Sequence, residues 1–195
     1  MNEYMKKNNE SIEKFEEKCL DSKLIFDGKV LHLYRDDISL PDGKSAFREY
    51  CRHIGAVCVI PITDEGEVIC VRQYRYPYGE VLLEIPAGKL DFKGEIPDDA
   101  VRRELREETG ATSGKLTYLG KFYSSPAILD ECIHMYMAEE LTFGDTDPDE
   151  DEFIESVRIP LPELVEMVMR GEVPDGKTQI AALRAQTLLS RRENK

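Results

Sequence analysis

One stretch of the chain, residues 56–62, is apolar at every position (Ala-Val-Cys-Val-Ile-Pro-Ile). Apolar residues on both faces are typical of a strand in the buried centre of a sheet. Along the chain the predicted elements run in the order strands, one helix, strands and two helices. This order predicts an α+β fold, or a mixed sheet flanked by helices, and lacks the regular strand–helix alternation of a dinucleotide-binding fold.

The individual elements follow from alternation, helical spacing and turn residues. Residues 86–88 are interpreted as a loop. Ile12, Phe15 and Cys19 at helical spacing favour a short N-terminal helix over the alternative of a frayed tail. Strands are predicted at 24–26, 30–38, 46–53, 56–62, 68–74, 116–123, 133–138 and 153–159, and helices at 97–109, 161–170 and 178–191.

Composition excludes several classes of protein. The 195 residues suggest one domain with a small extension, and their formal net charge is −13. So acidic a chain is a poor candidate for binding nucleic acid or an anionic membrane. No run approaches the roughly 18 apolar residues of a membrane span, and no secretory signal is evident. The five scattered cysteines indicate reduced thiols, so we expect a cytoplasmic protein.

The helix predicted at Pro97–Thr109 is the most informative segment. Proline in its first turn and Gly110 after its last turn are typical helix boundaries. Three glutamates share one side of it, because residues three and four apart lie on the same face. Val101 and Leu105 form a separate apolar stripe that can face the core. The glutamates are Glu104, Glu107 and Glu108.

Carboxylates this close repel one another unless a positive charge lies between them. Arg103 and Arg106 relieve part of the repulsion. A hard divalent cation that prefers oxygen ligands, Mg²⁺ or Mn²⁺, would relieve more of it and keep positions open for phosphate oxygens and water. Taken alone, the same pattern also fits a solvated acidic helix face with ion pairs.

The wider segment resembles the Nudix box, in which a glycine and a glutamate precede Arg-Glu-aliphatic-x-Glu-Glu-x-Gly. Seven residues separate Glu95 from Arg103, as in the family pattern. Six residues separate Gly88 from Glu95, where the family has five, and a loop can absorb the extra one. The positions that match in register are Glu95, Arg103, Glu104, Leu105, Glu107, Glu108 and Gly110.

The resemblance implies the Nudix fold, a mixed sheet sandwiched between helices, here with an N-terminal antiparallel β extension. It implies Mg²⁺-dependent hydrolysis of a nucleoside diphosphate linked to another group. Glu104 and Glu108 would be the main metal ligands, and Glu107 a further ligand or a residue that orients water. The Ala87 carbonyl would be another ligand. The box residues with a structural role would be Gly88, Glu95, Arg103 and Gly110.

Residues 20–190 look like the ADP-ribose pyrophosphatase group of that family. The similarity rests on residues 48–57, 72–77, 83–90 and 124–126, although Ala127 stands where a glycine is usual. In that group the N-terminal strands exchange contacts between two subunits, so a homodimer is implied. Residues 1–54 would form the dimerisation extension and residues 55–195 the Nudix domain.

The group also implies roles for residues outside the box. In the acidic run 145–152, Glu150 would be the general base and Glu152 a late metal ligand, or the two roles are exchanged. A solvated loop is the other interpretation of this run. Arg48, Arg75 and Glu131 are candidate substrate-binding residues, since arginine offers forked donors to phosphate. The two arginines would equally fit surface ion pairs.

Three functions stay open at this point. ADP-ribose would be cleaved to AMP and ribose 5-phosphate. GDP-mannose or another nucleoside diphosphate sugar is the main alternative substrate. A module that binds a nucleotide metabolite without cleaving it is a third reading, and it is disfavoured because all three metal-type glutamates are present.

Overall fold

The computed structural model describes residues 12–146 and 153–194. They form two compact units: one contains the described residues up to His53 with Ser125–Asp130, and the other contains Ile54–Ser124 and the described residues from Glu131 onward. The elements are β1 (Lys18–Asp27), β2 (His32–Ser39), β3 (Ser45–Arg52), β4 (Ala56–Pro61), β5 (Glu67–Arg75), β6 (Glu80–Glu84), β7 (Ala87–Lys89), α1 (Pro97–Thr109), β8 (Ala111–Tyr123), β9 (Cys132–Phe143), β10 (Glu155–Pro160), α2 (Leu161–Met169) and α3 (Gly176–Glu193).

The larger unit is built on a mixed four-stranded sheet in the order β7-β4-β9-β8. β4 runs parallel to β9, and its other neighbour, β7, is antiparallel. A second, antiparallel sheet has the order β10-β5-β6. All six residues of β4 are buried, and alternate side chains enter two apolar clusters. One cluster includes residues of α2 and α3, and the other includes residues of α1, so helices cover both faces of β4.

Helix α1 begins and ends where its sequence predicts. Pro97 occupies its first turn, and Gly110 adopts φ 68° while donating its N–H to the Arg106 carbonyl at 2.8 Å. A side chain at Gly110 would be strained at this φ, and its Cβ would come within 2.4 Å of the Gly144 carbonyl oxygen. Val101 and Leu105 are fully buried against the sheet. The apolar stripe of this helix therefore faces the core, as the sequence predicts.

The smaller unit contains a three-stranded antiparallel sheet in the order β1-β2-β3. The turn between β2 and β3 is closed by a hydrogen bond from the Leu40 N–H to the Lys44 carbonyl at 2.8 Å. Every residue of β1 is exposed, including Leu24, Ile25 and Phe26. An apolar edge strand of this kind is a common site of pairing with another chain.

Two of the local predictions were wrong. The N-terminal helix is limited, within the described residues, to a single 3₁₀ turn at Ile12–Lys14, and Cys19 lies in β1. The supposed loop at 86–88 contains the start of β7, whose Ala87 pairs with Cys58 of β4. A strand of three residues is too short to show alternation in the sequence. β7 is a strand because its backbone pairs with β4. Among the described helices, none combines the length and the apolar character needed to cross a membrane.

Candidate active site

The glutamate-bearing face of α1 is turned into the protein. Glu104 is 8% exposed and Glu108 is 4% exposed, and Glu107 is half-buried. These side chains are buried because α1 packs across β4, β5, β7 and β8. Burying a carboxylate is costly unless cations or hydrogen bonds compensate it. Two adjacent buried glutamates therefore contradict the alternative of a solvated acidic surface.

Gly88 lies directly under the carboxylate of Glu104. A Cβ built at Gly88 would be 2.1 Å from Cδ of Glu104 and 2.2 Å from each carboxylate oxygen. Only a residue without a side chain lets the backbone of β7 approach the carboxylate so closely. The backbone of Ala87 and Gly88 and the carboxylate of Glu104 thus form one oxygen-rich corner between β7 and α1.

Arg103 lies among the carboxylates of the same segment. Its Nη1 donates to Glu104 Oε1 at 2.7 Å and to Glu107 Oε2 at 3.5 Å. Its Nη2 is 3.5 Å from Glu95 Oε1 and 3.2 Å from Asp91 Oδ1. Burial disfavours the charged guanidinium, but Glu104 and Asp91 outweigh burial and raise the pKa of Arg103. Arg103 therefore supplies the local positive charge that the spacing of the glutamates requires.

Glu95 connects the preceding loop to α1. Its Oε1 faces Arg103, and its Oε2 accepts the N–H of Asp91 at 2.7 Å. The extra residue between Gly88 and Glu95 falls in this loop, where Gly94 adopts φ 93°. The insertion leaves both the ion pair of Glu95 and the register of α1 in place.

A second group of charges, which the sequence did not reveal as a group, surrounds Glu84 at the end of β6. Glu84 is only 1% exposed, and it accepts two hydrogen bonds of 2.6 Å from Nε and Nη2 of Arg75. Lys177 forms a short ion pair with Glu84 and donates to Asp175 at 3.0 Å. We call these four residues, Arg75, Glu84, Asp175 and Lys177, the Glu84 cluster.

The charges of this cluster are balanced inside the larger unit. Burial alone would raise the pKa of Glu84, but Arg75 and Lys177 outweigh it and lower that pKa. The hydrogen bond to Glu84 raises the pKa of Arg75, and the charges of Asp175 and Glu108 add to the effect. Arg75 lies at the end of β5, one of the strands against which α1 packs. The sequence placed Glu84 and Arg75 in two separate segments that carry the family resemblance, 83–90 and 72–77, and no local pattern connects the two residues.

The other candidate residues occupy separate places. Arg48 belongs to the smaller unit and donates from Nε to Glu17 at 2.9 Å. Arg48 thus forms the surface ion pair that was the alternative to substrate binding, whereas Arg75 pairs with the buried Glu84. In the larger unit, Glu131 accepts a hydrogen bond from Ser124 Oγ at 2.6 Å.

Glu150 and Glu152 lie outside the described residues. The chain on each side of them is described, and both sides contact the C-terminal end of α1. Gly144 donates its N–H to the Gly110 carbonyl at 2.8 Å, and Ser156 Oγ donates to the Glu108 carbonyl at 3.4 Å. Gly144 and Ser156, which are described on either side of residues 147–152, therefore both lie beside the C-terminal end of α1.

The donor set fits a hard divalent cation. Buried carboxylate oxygens with a closely approaching backbone are the ligands that Mg²⁺ and Mn²⁺ prefer. The described parts of the chain do not bring three acidic, histidine or cysteine side chains together into a complete ligand set. Glu104, whose Oε1 accepts from Arg103, and Glu108 would supply two carboxylates, and further oxygens would have to come from backbone, water or residues 147–152.

Comparison with models of known protein families identifies the family of this chain. The NUDIX domain model matches residues 52–182, about two thirds of the chain. This chain belongs to the Nudix family. The prediction from the box residues is thereby confirmed, and α1 with the loop before it is the Nudix box of this protein.

Three relatives are similar to this chain over most of its length. It is 46% identical over 168 residues to an ADP-ribose pyrophosphatase of Bacillus subtilis, covering 85% of this chain and 90% of that protein. It is 43% identical over 169 residues to a methanol dehydrogenase activator of Bacillus methanolicus, covering 86% and 91%. It is 34% identical over 160 residues to a GDP-mannose pyrophosphatase of Yersinia pestis, covering 76% and 80%.

The fold agrees with a solved structure. A crystal structure of an ADP compounds hydrolase superposes with a TM-score of 0.82 at 23% identity, covering 91% of this chain and 96% of that one. The predicted α+β Nudix fold, with a mixed sheet between helices, is confirmed. The Nudix box therefore sits on a scaffold that the family shares.

Proposed function

We propose that this Nudix protein hydrolyses the diphosphate bond of ADP-ribose, giving AMP and ribose 5-phosphate, with Mg²⁺ as cofactor. The observation that carries the proposal is the burial of Glu104 and Glu108 on one face of α1, against Gly88. The substrate class follows from the relatives, one of which is an ADP-ribose pyrophosphatase 46% identical to this chain.

In the proposed site, Glu104 and Glu108 hold the cation, with the Ala87 carbonyl and Glu152 as further ligands. Glu107 is another ligand, or it orients the attacking water. Mn²⁺ is expected to substitute for Mg²⁺. The bound cation supplies charge neutralisation for the diphosphate and polarisation of one phosphorus. This charge reversal is needed because a chain of net charge −13 repels a diphosphate.

Side chains carry out the proton transfer and bind the substrate. Glu150 takes a proton from the attacking water, or Glu152 does so if their roles are exchanged. Arg75 and Arg48 donate hydrogen bonds to the phosphates or to the nucleoside end, and Glu131 contacts the substrate. Arg75 belongs to β5, a strand against which α1 packs, and this supports its part of the proposal.

A substrate screen tests the function. The protein is incubated with Mg²⁺ and a panel of diphosphate compounds, and the phosphate products are identified. AMP and ribose 5-phosphate from ADP-ribose, abolished by EDTA and restored by Mg²⁺ or Mn²⁺, are expected. Hydrolysis in ¹⁸O-water then shows which phosphorus is attacked. Absence of AMP at every metal condition would refute the proposal.

GDP-mannose is the second candidate substrate, because a 34% identical relative is a GDP-mannose pyrophosphatase. The same panel separates the two, since GMP rather than AMP would be the nucleotide product. Calorimetric titration of ADP-ribose with and without Mg²⁺ separates cleavage from the non-catalytic binding module. Binding without any product would favour the module.

We further propose that the protein is a homodimer whose contacts involve residues 1–54. The exposed apolar side chains of β1, among them Leu24, Ile25 and Phe26, support this assembly. Light scattering after size-exclusion chromatography should give twice the chain mass of 22.3 kDa. Replacing Leu24 and Phe26 by lysine should give the single-chain mass, and an unchanged mass would exclude β1 from the contact.

A cytoplasmic location is proposed on the state of the cysteines. All five carry free thiols, and a reducing compartment maintains that state. Cell fractionation with an antibody against the protein checks the location. Recovery from a secreted or membrane fraction would contradict it.

A further inference from the structure

The Glu84 cluster contains two cations and two anions in a largely buried place. Glu84 is 1% exposed, and the Lys177 side chain is 11% exposed. A buried ion cluster of this kind seldom stabilises a fold better than apolar residues of similar size, because desolvation offsets the attraction between the charges. The hydrogen bonds of the cluster do fix the orientation of one member, Arg75.

Arg75 is held by one edge only. Its Nε and Nη2 each donate to a different oxygen of Glu84 at 2.6 Å, which makes a fork of two parallel hydrogen bonds. These two bonds leave the Nη1 group outside the fork, and the side chain of Arg75 is 39% exposed. A planar guanidinium fixed along one edge presents its remaining N–H bonds in one fixed direction.

Glu84 is itself held from the start of α3. Lys177 pairs with its carboxylate, and Asp175 caps the helix by accepting the Thr178 N–H at 2.9 Å. Thr178 Oγ1 accepts the N–H of Ile85, the residue after Glu84, at 2.8 Å. The side chain and the adjoining backbone of Glu84 are thus both anchored. A carboxylate held in this way can hold the guanidinium of Arg75 in one orientation.

We propose that Glu84 is a positioning residue: with Lys177 it holds Arg75 so that Nη1 is presented to the diphosphate of a substrate bound at the Glu108 end of α1. This inference rests on the proposed diphosphate hydrolysis and adds to it the residue that aims the phosphate-binding arginine. Glu84 does not touch the substrate and acts only through Arg75.

The test is the kinetics of Glu84→Gln in the full chain with Mg²⁺ and ADP-ribose. Glutamine keeps the shape of the side chain but loses the charge-assisted fork. We expect KM to rise roughly tenfold, equivalent to about 1.4 kcal/mol, with a smaller change in kcat. An unchanged KM in a folded Glu84→Gln variant would overturn the proposal.

The chain offers a matched control in Glu139 of β9. Glu139 is also held by an arginine and a lysine: Arg192 Nη1 donates at 2.7 and 2.8 Å, and Lys115 is 2.9 Å away. This pair of strands, β9 and β8, lies on the opposite side of β4 from β7. Glu139→Gln should leave KM unchanged, and an equal rise in KM would show that the effect of Glu84→Gln is not specific.

A double-mutant cycle separates positioning from a general structural effect. Glu84→Gln should add nothing to the KM of Arg75→Ala, because Arg75, through which Glu84 is proposed to act on the substrate, is then absent. Independent, multiplying effects would overturn the proposal. If Glu84→Gln does not fold, Arg75→Lys is the second variant, because lysine replaces the fork with a single ammonium group. It should raise KM by a similar factor, and an unchanged KM would refute the positioning of Arg75.

Hydrolysis of ADP-ribose by the wild type tests the proposed function separately from the role of Glu84. If the wild type cleaves no ADP-ribose, the proposed function fails, and calorimetric titration with ADP as the diphosphate probe still tests Arg75. Glu84→Gln should weaken ADP binding roughly tenfold. Equal affinity of the wild type and this variant for ADP would overturn the positioning role.

Discussion

Replacing Gly88 by alanine tests the close approach of β7 to α1. The new Cβ would lie 2.1 Å from Cδ of Glu104, whereas ordinary van der Waals contact begins at 3.4 Å. The carboxylate or the strand would therefore have to move by about 1.3 Å to restore ordinary contact. Such a shift acts on a side chain that is 8% exposed and has little free space around it.

Two consequences of this displacement can be given magnitudes. Overpacking of a buried site typically costs about 1–3 kcal/mol of unfolding free energy. A misplacement of roughly 1 Å in a catalytic site can reduce turnover about 100-fold. We therefore expect Gly88→Ala to be folded but destabilised, with a loss of activity much larger than its loss of stability.

The assay combines thermal unfolding with steady-state hydrolysis of ADP-ribose. Gly176→Ala is the control, because a Cβ there has no heavy atom within 4 Å and its φ is not positive. This control should retain wild-type activity. The double variant Gly88→Ala, Glu104→Asp should recover stability, since the shorter acid withdraws from the new methyl group, but it should not recover activity.

Wild-type stability and turnover in Gly88→Ala would refute the reasoning. That result would mean that the carboxylate of Glu104 does not lie against the β7 backbone. Recovery of full activity in the double variant would also contradict it, because the exact reach of Glu104 would then be irrelevant to catalysis.

Four further predictions concern other residues. Glu108→Gln should reduce kcat by orders of magnitude with an unchanged circular dichroism spectrum, and Glu150→Gln should lower kcat far more than it raises KM. The pKa of Glu84 is lowered, so its ionised carboxylate stabilises the fold above the ordinary pKa of 4.5, and this stabilisation is lost as the pH falls below that value. The unfolding free energy of Glu84→Gln should therefore fall less steeply than that of the wild type as the pH is lowered. Burial raises the pKa of Cys58 to about 12, so mass spectrometry after iodoacetamide treatment at pH 8 should find exposed Cys19 labelled and Cys58 intact.

Local chemistry made α1 predictable from the sequence. Its proline, first-turn aspartates and final glycine act within the helix itself, and the structure places its ends at Pro97 and Thr109 as expected. The uninterrupted apolar run of β4 likewise indicated a covered central strand. In both cases the deciding interactions lie within a few residues of each other.

Features that depend on distant partners could not be predicted in the same way. β7 is a strand because it pairs with β4, some thirty residues earlier in the chain. The Glu84 cluster joins residues 93 positions apart, and no local pattern connects Glu84 with Lys177. Glu150 and Glu152 lie outside the described residues, so their predicted roles stay predictions.

The sequence by itself determined that three glutamates share one side of a capped helix, because helical geometry depends only on neighbouring residues. It also determined the family, through the spacing of the box. Only the tertiary structure decided that Glu104 and Glu108 are buried, that Gly88 lies against one of them and that Arg75 is clamped by Glu84. Burial and long-range ion pairing arise when separate elements pack, and the free energy of a charge depends on what that packing brings beside it.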